Sequence, residues 1–197
     1  MKVKTWRNGT PVAGVRFDPA HRALLTGDGL FETVRVRKGV PLYLNRHIER
    51  LVRAAQRSGY PWLGLADTLD GPLHEPLRAA QISRSSALRI YVFPSMHDEG
   101  PEVFVTVEDY EPPPESEYWR GARLHVSPVN HPCHGRFGKS TSRHWAETAK
   151  RLARQAGYTG AVMCDAHGRV IEATDASLLW SRGGRWFSAP EEAGGLE

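Results

Sequence analysis

Lys139 stands in the run Gly135-Arg136-Phe137-Gly138-Lys139-Ser140-Thr141-Ser142-Arg143, directly ahead of a helical pattern. Beyond that helix a strand pattern leads to Glu172, in Val170-Ile171-Glu172-Ala173-Thr174. A lysine amine at a junction into a helix can form a Schiff base with an aldehyde. A carboxylate half-buried among Val170, Ile171 and Ala173 can hold a proton on a pyridine nitrogen, so that the ring accepts electrons. The two together suit an enzyme that uses pyridoxal phosphate (PLP).

Other chemistries fit less well. Gly138-Lys139-Ser140 looks like the tail of a phosphate-binding P-loop, but that motif needs a glycine where Cys133 stands, and no apolar strand runs into the loop. His131, Cys133 and His134 are too closely spaced for the usual zinc patterns, and no second ligand pair follows. They read as a solvated loop, with no metal. Two cysteines, Cys133 and Cys164, make no disulfide framework. The net charge of +4 is spread along the chain with no basic arm, so a nucleic-acid partner is not expected. The N-terminus has no apolar signal segment, and no apolar stretch approaches membrane-spanning length. The expectation is a soluble cytoplasmic protein with no membrane partner.

Several elements must position these residues. Asn8-Gly9 marks a hairpin turn between Val3 to Trp6 and Pro11 to Val15. Gly27-Asp28-Gly29 reads as another turn, leading into a strand in which Val34 and Val36 alternate with Arg35 and Arg37. Lys38-Gly39 turns into a second hairpin. A helix from about Asn45, as N-cap, carries an apolar stripe of Ile48, Leu51, Val52 and Ala55, with His47, Arg50 and Ala54 on an adjacent face. A weaker helix, broken near Pro72, covers roughly 65–82. Ala87 to Phe93 and Val103 to Val107 read as strands. Three consecutive prolines, Pro112 to Pro114, exclude helix and central strand and mark a linker. A strand at 123–127 and a helix at about 142–155 follow, the helix with a buried stripe of Trp145, Ala149, Leu152 and Ala153. Short strands at 160–164, 170–172, 177–180 and 185–187 complete the pattern. A domain of residues 1–112, a linker of 113–120 and a second domain of 121–197 are expected.

In order, these blocks resemble the class IV aminotransferases, the fold-type IV PLP enzymes. That group includes branched-chain aminotransferases, D-amino-acid transaminases and aminodeoxychorismate lyases. Gly27-Asp28-Gly29-Leu30-Phe31-Glu32-Thr33 is similar to the family's GDG(x)(F/Y)E segment, and His47 to Leu51 to its H-x-x-R-L helix. Gly138-Lys139-Ser140 matches the Schiff-base lysine, and Gly168 to Trp180 the G-x-V-x-E strand and S-N-x-F turn. The resemblance implies an α/β, two-domain PLP enzyme, working by transamination or by pyruvate-releasing lysis, with a small amino substrate. It implies that Arg50 binds the cofactor phosphate, that Lys139, Glu172 and Thr174 complete the cofactor contacts, and that the chain forms a homodimer.

The departures are informative. Arg143 replaces the tyrosine of branched-chain members, and Phe31 stands in the GDG segment; both are common in the lyases. After the strand ending at Phe93, D-amino-acid transaminases carry an arginine and a histidine; Pro94-Ser95-Met96-His97-Asp98 offers only His97. Phe31, His97 and Arg143 are therefore the substrate-contact candidates. Ser142 and Leu178 replace two family asparagines. The sequence reaches Glu197 where the family continues with a phosphate-binding G-x-x-x-G-x-T-R turn. The expectation is an incomplete second domain. The alternative is then a weakly active or non-catalytic homologue serving as a binding or dimerisation module.

Overall fold

The computed structural model describes residues 3–16, 18–81, 85–96, 100–133 and 137–195. It divides the chain into two compact units. The first is Met1–Pro112 with Gly138–Ser142; the second is Pro113–Phe137 with Arg143–Glu197. The short detached piece that belongs to the first unit is the Lys139 segment.

In the first unit, β1 (Val3–Arg7), β2 (Thr10–Val12), β3 (Leu30–Arg37), β4 (Val40–Pro41), β5 (Ser85–Pro94) and β6 (Pro101–Asp109) form one antiparallel sheet in the order β2-β1-β6-β5-β3-β4. Asn8 and Gly9 both have positive φ, as a tight hairpin between β1 and β2 requires. The period-2 alternation of β3 puts Leu30, Glu32, Val34 and Val36 on the buried face. They meet Leu88, Ile90 and Val92 of β5 and Val103, Val105 and Val107 of β6 in one core. A one-turn helix α1 (Arg22–Leu25) precedes β3. Helices α2 (Leu44–Arg57) and α3 (Leu65–Gln81) supply Leu51, Ala54, Ala55, Leu65, Leu69 and Leu73 to the same core.

Two helix boundaries differ from the sequence reading. Tyr43, in the left-handed region, is the cap of α2, and Asn45 lies inside the helix. Helix α3 runs unbroken through Pro72 and Pro76. Leu65, Leu69, Leu73, Pro76 and Ala80 form a continuous buried stripe, so packing on the sheet outweighs the lost backbone hydrogen bonds.

In the second unit, α4 (Glu115–Arg120) starts only after the third proline, so residues 115–120 are helical where an extended linker was expected. β7 (Leu124–Val126) pairs parallel with β8 (Gly160–Cys164), which pairs antiparallel with β9 (Val170–Ala173). α5 (His144–Gln155) packs on β8 through Ala149, Ala153, Ala161 and Met163. Its buried stripe is Ala146, Ala149 and Ala153; Leu152 is exposed and Trp145 only half-buried, one position off the expected face. β10 (Leu179–Arg182) and β11 (Arg185–Ser188) form a separate hairpin. No described helix is long and apolar enough to cross a membrane.

The Lys139 segment joins the first unit as a short antiparallel strip along the start of β3. Phe31 N–H donates to the Lys139 carbonyl (2.8 Å) and Thr141 N–H to the Gly29 carbonyl (3.0 Å). The Thr141 hydroxyl donates to the Gly27 carbonyl at 2.6 Å. The glycines of the GDG run permit this approach. A Cβ on Gly27 would fall 2.8 Å from Ser142 Cα, and one on Gly29 would fall 2.4 Å from the Phe93 ring. Gly138 is equally constrained: its φ is +93° and a Cβ would lie 2.1 Å from Ala54 Cβ on α2. Gly168 has φ +75° with open space around it. Gly168→Ala is therefore expected to cost about 1 kcal/mol of backbone strain. Gly138→Ala should cost that strain plus roughly 1–3 kcal/mol of overpacking. Urea unfolding midpoints compare the two; equal losses would show that the Lys139 segment is not seated on α2.

Candidate active site

Glu32 lies on the apolar face of β3 with only 1% of its surface exposed. A carboxylate so placed is costly unless paired. Two residues three apart on α2 supply the partners. Arg50 Nε donates to Oε1 (2.6 Å) and Nη2 to Oε2 (2.7 Å), a two-pronged charge-assisted contact. His47 Nδ1 lies 2.8 Å from Oε2. Burial pushes the Glu32 carboxyl up, but the hydrogen bonds from Arg50 and His47 outweigh it and hold the group below its ordinary value. The carboxylate grips the guanidinium by its side edge, which fixes the plane and direction of the fork.

On the opposite face of β3, the Lys139 amine stands 4.8 Å over the Phe31 ring. A cation at that range is attracted to the ring face. Phe31 stacks with Tyr91, its neighbour across the β3–β5 ladder, at 5.9 Å between centroids. Behind the segment, Asp28 accepts a hydrogen bond from the Tyr60 hydroxyl. The Arg22 guanidinium is 2.6 Å from Asp28 Oδ2, without aligned hydrogen-bond geometry. Burial and the Asp28 contact push the Tyr60 phenol far above its usual range, so it stays a donor.

The second unit brings together a different set. Glu172 on β9 and Thr174 just after it are both buried. Glu172 Oε1 lies 3.1 Å from His131 Nε2. The Thr174 N–H donates to the Ala161 carbonyl (3.0 Å), and its own carbonyl accepts from Arg143 Nη2 (2.7 Å). Lys150 Nζ pairs with Asp175 Oδ2 at 2.6 Å. His131, expected in a solvated loop, is instead 4% exposed, with its ring edge against Trp145. The chain there turns inward because His131 N–H donates to the Cys164 carbonyl (2.7 Å) at the end of β8. His97 lies outside the described residues.

A family model described as amino-transferase class IV matches residues 29–197. The chain belongs to this family. An aminodeoxychorismate lyase of Vibrio harveyi is 25% identical over 201 residues, covering 93% of this chain and 69% of the relative. The crystal structure of 4-amino-4-deoxychorismate lyase from Pseudomonas aeruginosa is 26% identical with a TM-score of 0.76, over 93% of this chain and 69% of that one. A branched-chain aminotransferase from Thermoproteus uzoniensis, solved with norvaline, is 25% identical with a TM-score of 0.83, over 98% and 70%. Class IV aminotransferases are PLP-dependent enzymes.

The groups of this class IV aminotransferase fit that cofactor chemically. The first unit presents an amine held on an aromatic ring and a guanidinium whose plane is fixed. The second presents a buried carboxylate. Phe31 and Lys139 come together directly, while Arg50 is joined to Glu32 and His47. In the second unit Arg143 reaches Thr174, two residues beyond Glu172 in the chain. Glu32 and His47, quoted only as parts of family motifs, and His131, read as a loop residue, were not among the expected site residues. The first two left a signal: Glu32 is in phase with Val34 and Val36, and His47 and Arg50 share one helical face.

Glu32 gives the enzyme an acid-side stability dependence. Its folded value is depressed, so its contribution is complete above the ordinary carboxylate range and is lost as pH falls through the folded value. Glu32→Gln should flatten the acid limb of a denaturant-midpoint profile. Arg50→Met, which strands the carboxylate, should cost roughly 3 kcal/mol at neutral pH. The double variant should lose less than the sum; strict additivity would mean that the two groups do not interact.

Proposed function

We propose that this chain is a PLP enzyme in which Lys139 is the Schiff-base amine and the substrate is a small amino compound. The observation that carries the reading is the seating of the Lys139 segment. The stretch is hydrogen-bonded along the GDG strand, and its amine is held over Phe31. Bound PLP supplies an aldehyde carbon and an electron-accepting pyridine ring. Lys139 Nζ holds the cofactor covalently and, as a free amine, takes the proton from the substrate α-carbon. Glu172 accepts a hydrogen bond from the ring nitrogen. Arg50, oriented by Glu32, meets the phosphate charge, and Thr174 is a further cofactor-contact residue in this reading.

Phe31 and Arg143 are the substrate-contact residues in this reading, and they favour lysis over transamination. Phe31 and Tyr91 offer stacked aromatic surface beside the amine, suited to a flat ring, and a guanidinium suits a substrate carboxylate. A cytoplasmic homodimer is the corresponding assembly, and sedimentation velocity separates it from a monomer.

Protein mixed with PLP, reduced with borohydride and digested is expected to carry a phosphopyridoxyl group on the Lys139 peptide. Lys139→Ala should abolish the label. A wild-type protein that takes up no PLP, even in excess, would overturn the assignment. Pyruvate release from aminodeoxychorismate, set against keto-acid formation from D-alanine or branched-chain amino acids, decides the reaction branch.

A further inference from the structure

We infer that His131 is a positioning residue for Glu172 and that the backbone of Cys133 sets its tautomer. The inference rests on the cofactor role proposed for Glu172. A neutral imidazole has one donor and one acceptor nitrogen. The Cys133 N–H donates to His131 Nδ1 at 2.9 Å, so Nδ1 carries no hydrogen. The ring hydrogen is then on Nε2, which lies 3.1 Å from Glu172 Oε1. A carboxylate can only accept, so Nε2–H donates to it. Both side chains are buried, which makes this bond expensive to lose.

The ring is held from every side that matters. Its backbone N–H is tied to the Cys164 carbonyl, and Trp145 meets it edge to face at 4.6 Å. The donor is held as well. Cys133 occupies the left-handed region, φ 55°, which a side chain rarely adopts. The backbone of Gly194 lies directly on it: a Cβ on Gly194 would fall 2.4 Å from Cys133 Cα. A Cβ on the adjoining Gly195 would come 3.6 Å from Ile171 Cγ2, on the neighbour of Glu172. An added side chain at position 194 thus has no room beside the His131 end of the His131–Glu172 pair, and one at position 195 would contact the chain beside the Glu172 end. With Oε1 engaged, the carboxylate cannot rotate about its last torsion. The carboxylate therefore meets its ligand with its orientation fixed by His131.

Two measurements test this. In the protein without cofactor, imidazole nitrogen NMR should show His131 as the Nε2–H tautomer; an Nδ1–H tautomer would overturn the inference whatever the protein binds. In the second, wild type, His131→Leu and His131→Gln are loaded with PLP labelled at the ring nitrogen. His131→Leu removes the donor, while His131→Gln keeps an amide donor within reach. His131→Leu should weaken PLP binding about tenfold, the loss typical of a hydrogen bond to a charged group, and move the ring-nitrogen resonance toward the unprotonated position. His131→Gln should restore most of both. A merely structural histidine would alter melting temperature without moving that resonance. Wild-type resonance in a folded His131→Leu protein would overturn the positioning role. Failure of wild type to bind PLP would overturn the cofactor reading instead, leaving the tautomer to decide the His131–Glu172 bond. Should His131→Leu not fold, His131→Gln at wild-type resonance supports the role and at the unprotonated position overturns it.

Discussion

A carboxylate buried on an otherwise apolar strand face is the constraint around which the first unit is arranged. Glu32 must be compensated, and α2 does so by holding His47 and Arg50 over it. That register also decides where Ala54 falls, one turn further along the same helical face, and Ala54 is the surface on which Gly138 rests. The strand carries the second consequence on its other side. Because side chains alternate, burying Glu32 turns Phe31 outward, toward Lys139. One ion-pair cluster therefore fixes a guanidinium on one face of the strand and the setting of an amine on the other.

The second unit solves a similar problem with different chemistry. Glu172 is also a buried acid, and there an imidazole nitrogen of His131 lies 3.1 Å from its carboxylate. A fork that cancels charge suits a group whose task is to brace a helix against a sheet. The Asp165 turn nearby uses the first strategy. Burial pushes its carboxyl up, but backbone N–H groups of Arg169 and His167 and the Arg169 side chain more than offset this and hold it below its usual range.

Much of the architecture was legible because it rests on local periodicity. The alternation in β3, the Asn8-Gly9 turn and the strands at 160–164 and 170–173 are all set by near neighbours. What was not legible depends on residues distant in sequence. The Gly27-Asp28-Gly29 run reads as a turn, yet its glycines are needed because Ser142 and Phe93 press against them. Pro72 reads as a helix breaker, and only the stripe of leucines packed beneath it keeps α3 intact. Lys139, Phe31 and Arg50 could be picked out from motif order; Glu32 stands in the same motif, but its pairing with α2 does not, and the pairing of His131 with Glu172 spans forty-one residues with no local signal. The two-unit division shows the same limit. No local pattern indicates that residues 138–142 belong with a sheet finished thirty residues earlier.

That misplaced strip has a consequence for how the protein is made. Its contacts with residues 27 and 29 close loops of more than a hundred residues, the separations being 114 and 112. Every strand of the large sheet and both of its covering helices have left the ribosome well before Lys139 does. The sheet can thus assemble first and wait, with the edge beside Gly27 and Gly29 open, until the later stretch arrives to dock. Pairings of such long range are slow to form and easily lost, because the loop entropy must be overcome for very few hydrogen bonds. The Lys139 segment is consequently among the last features of its own unit to be installed, and among the first to detach when the chain is stressed.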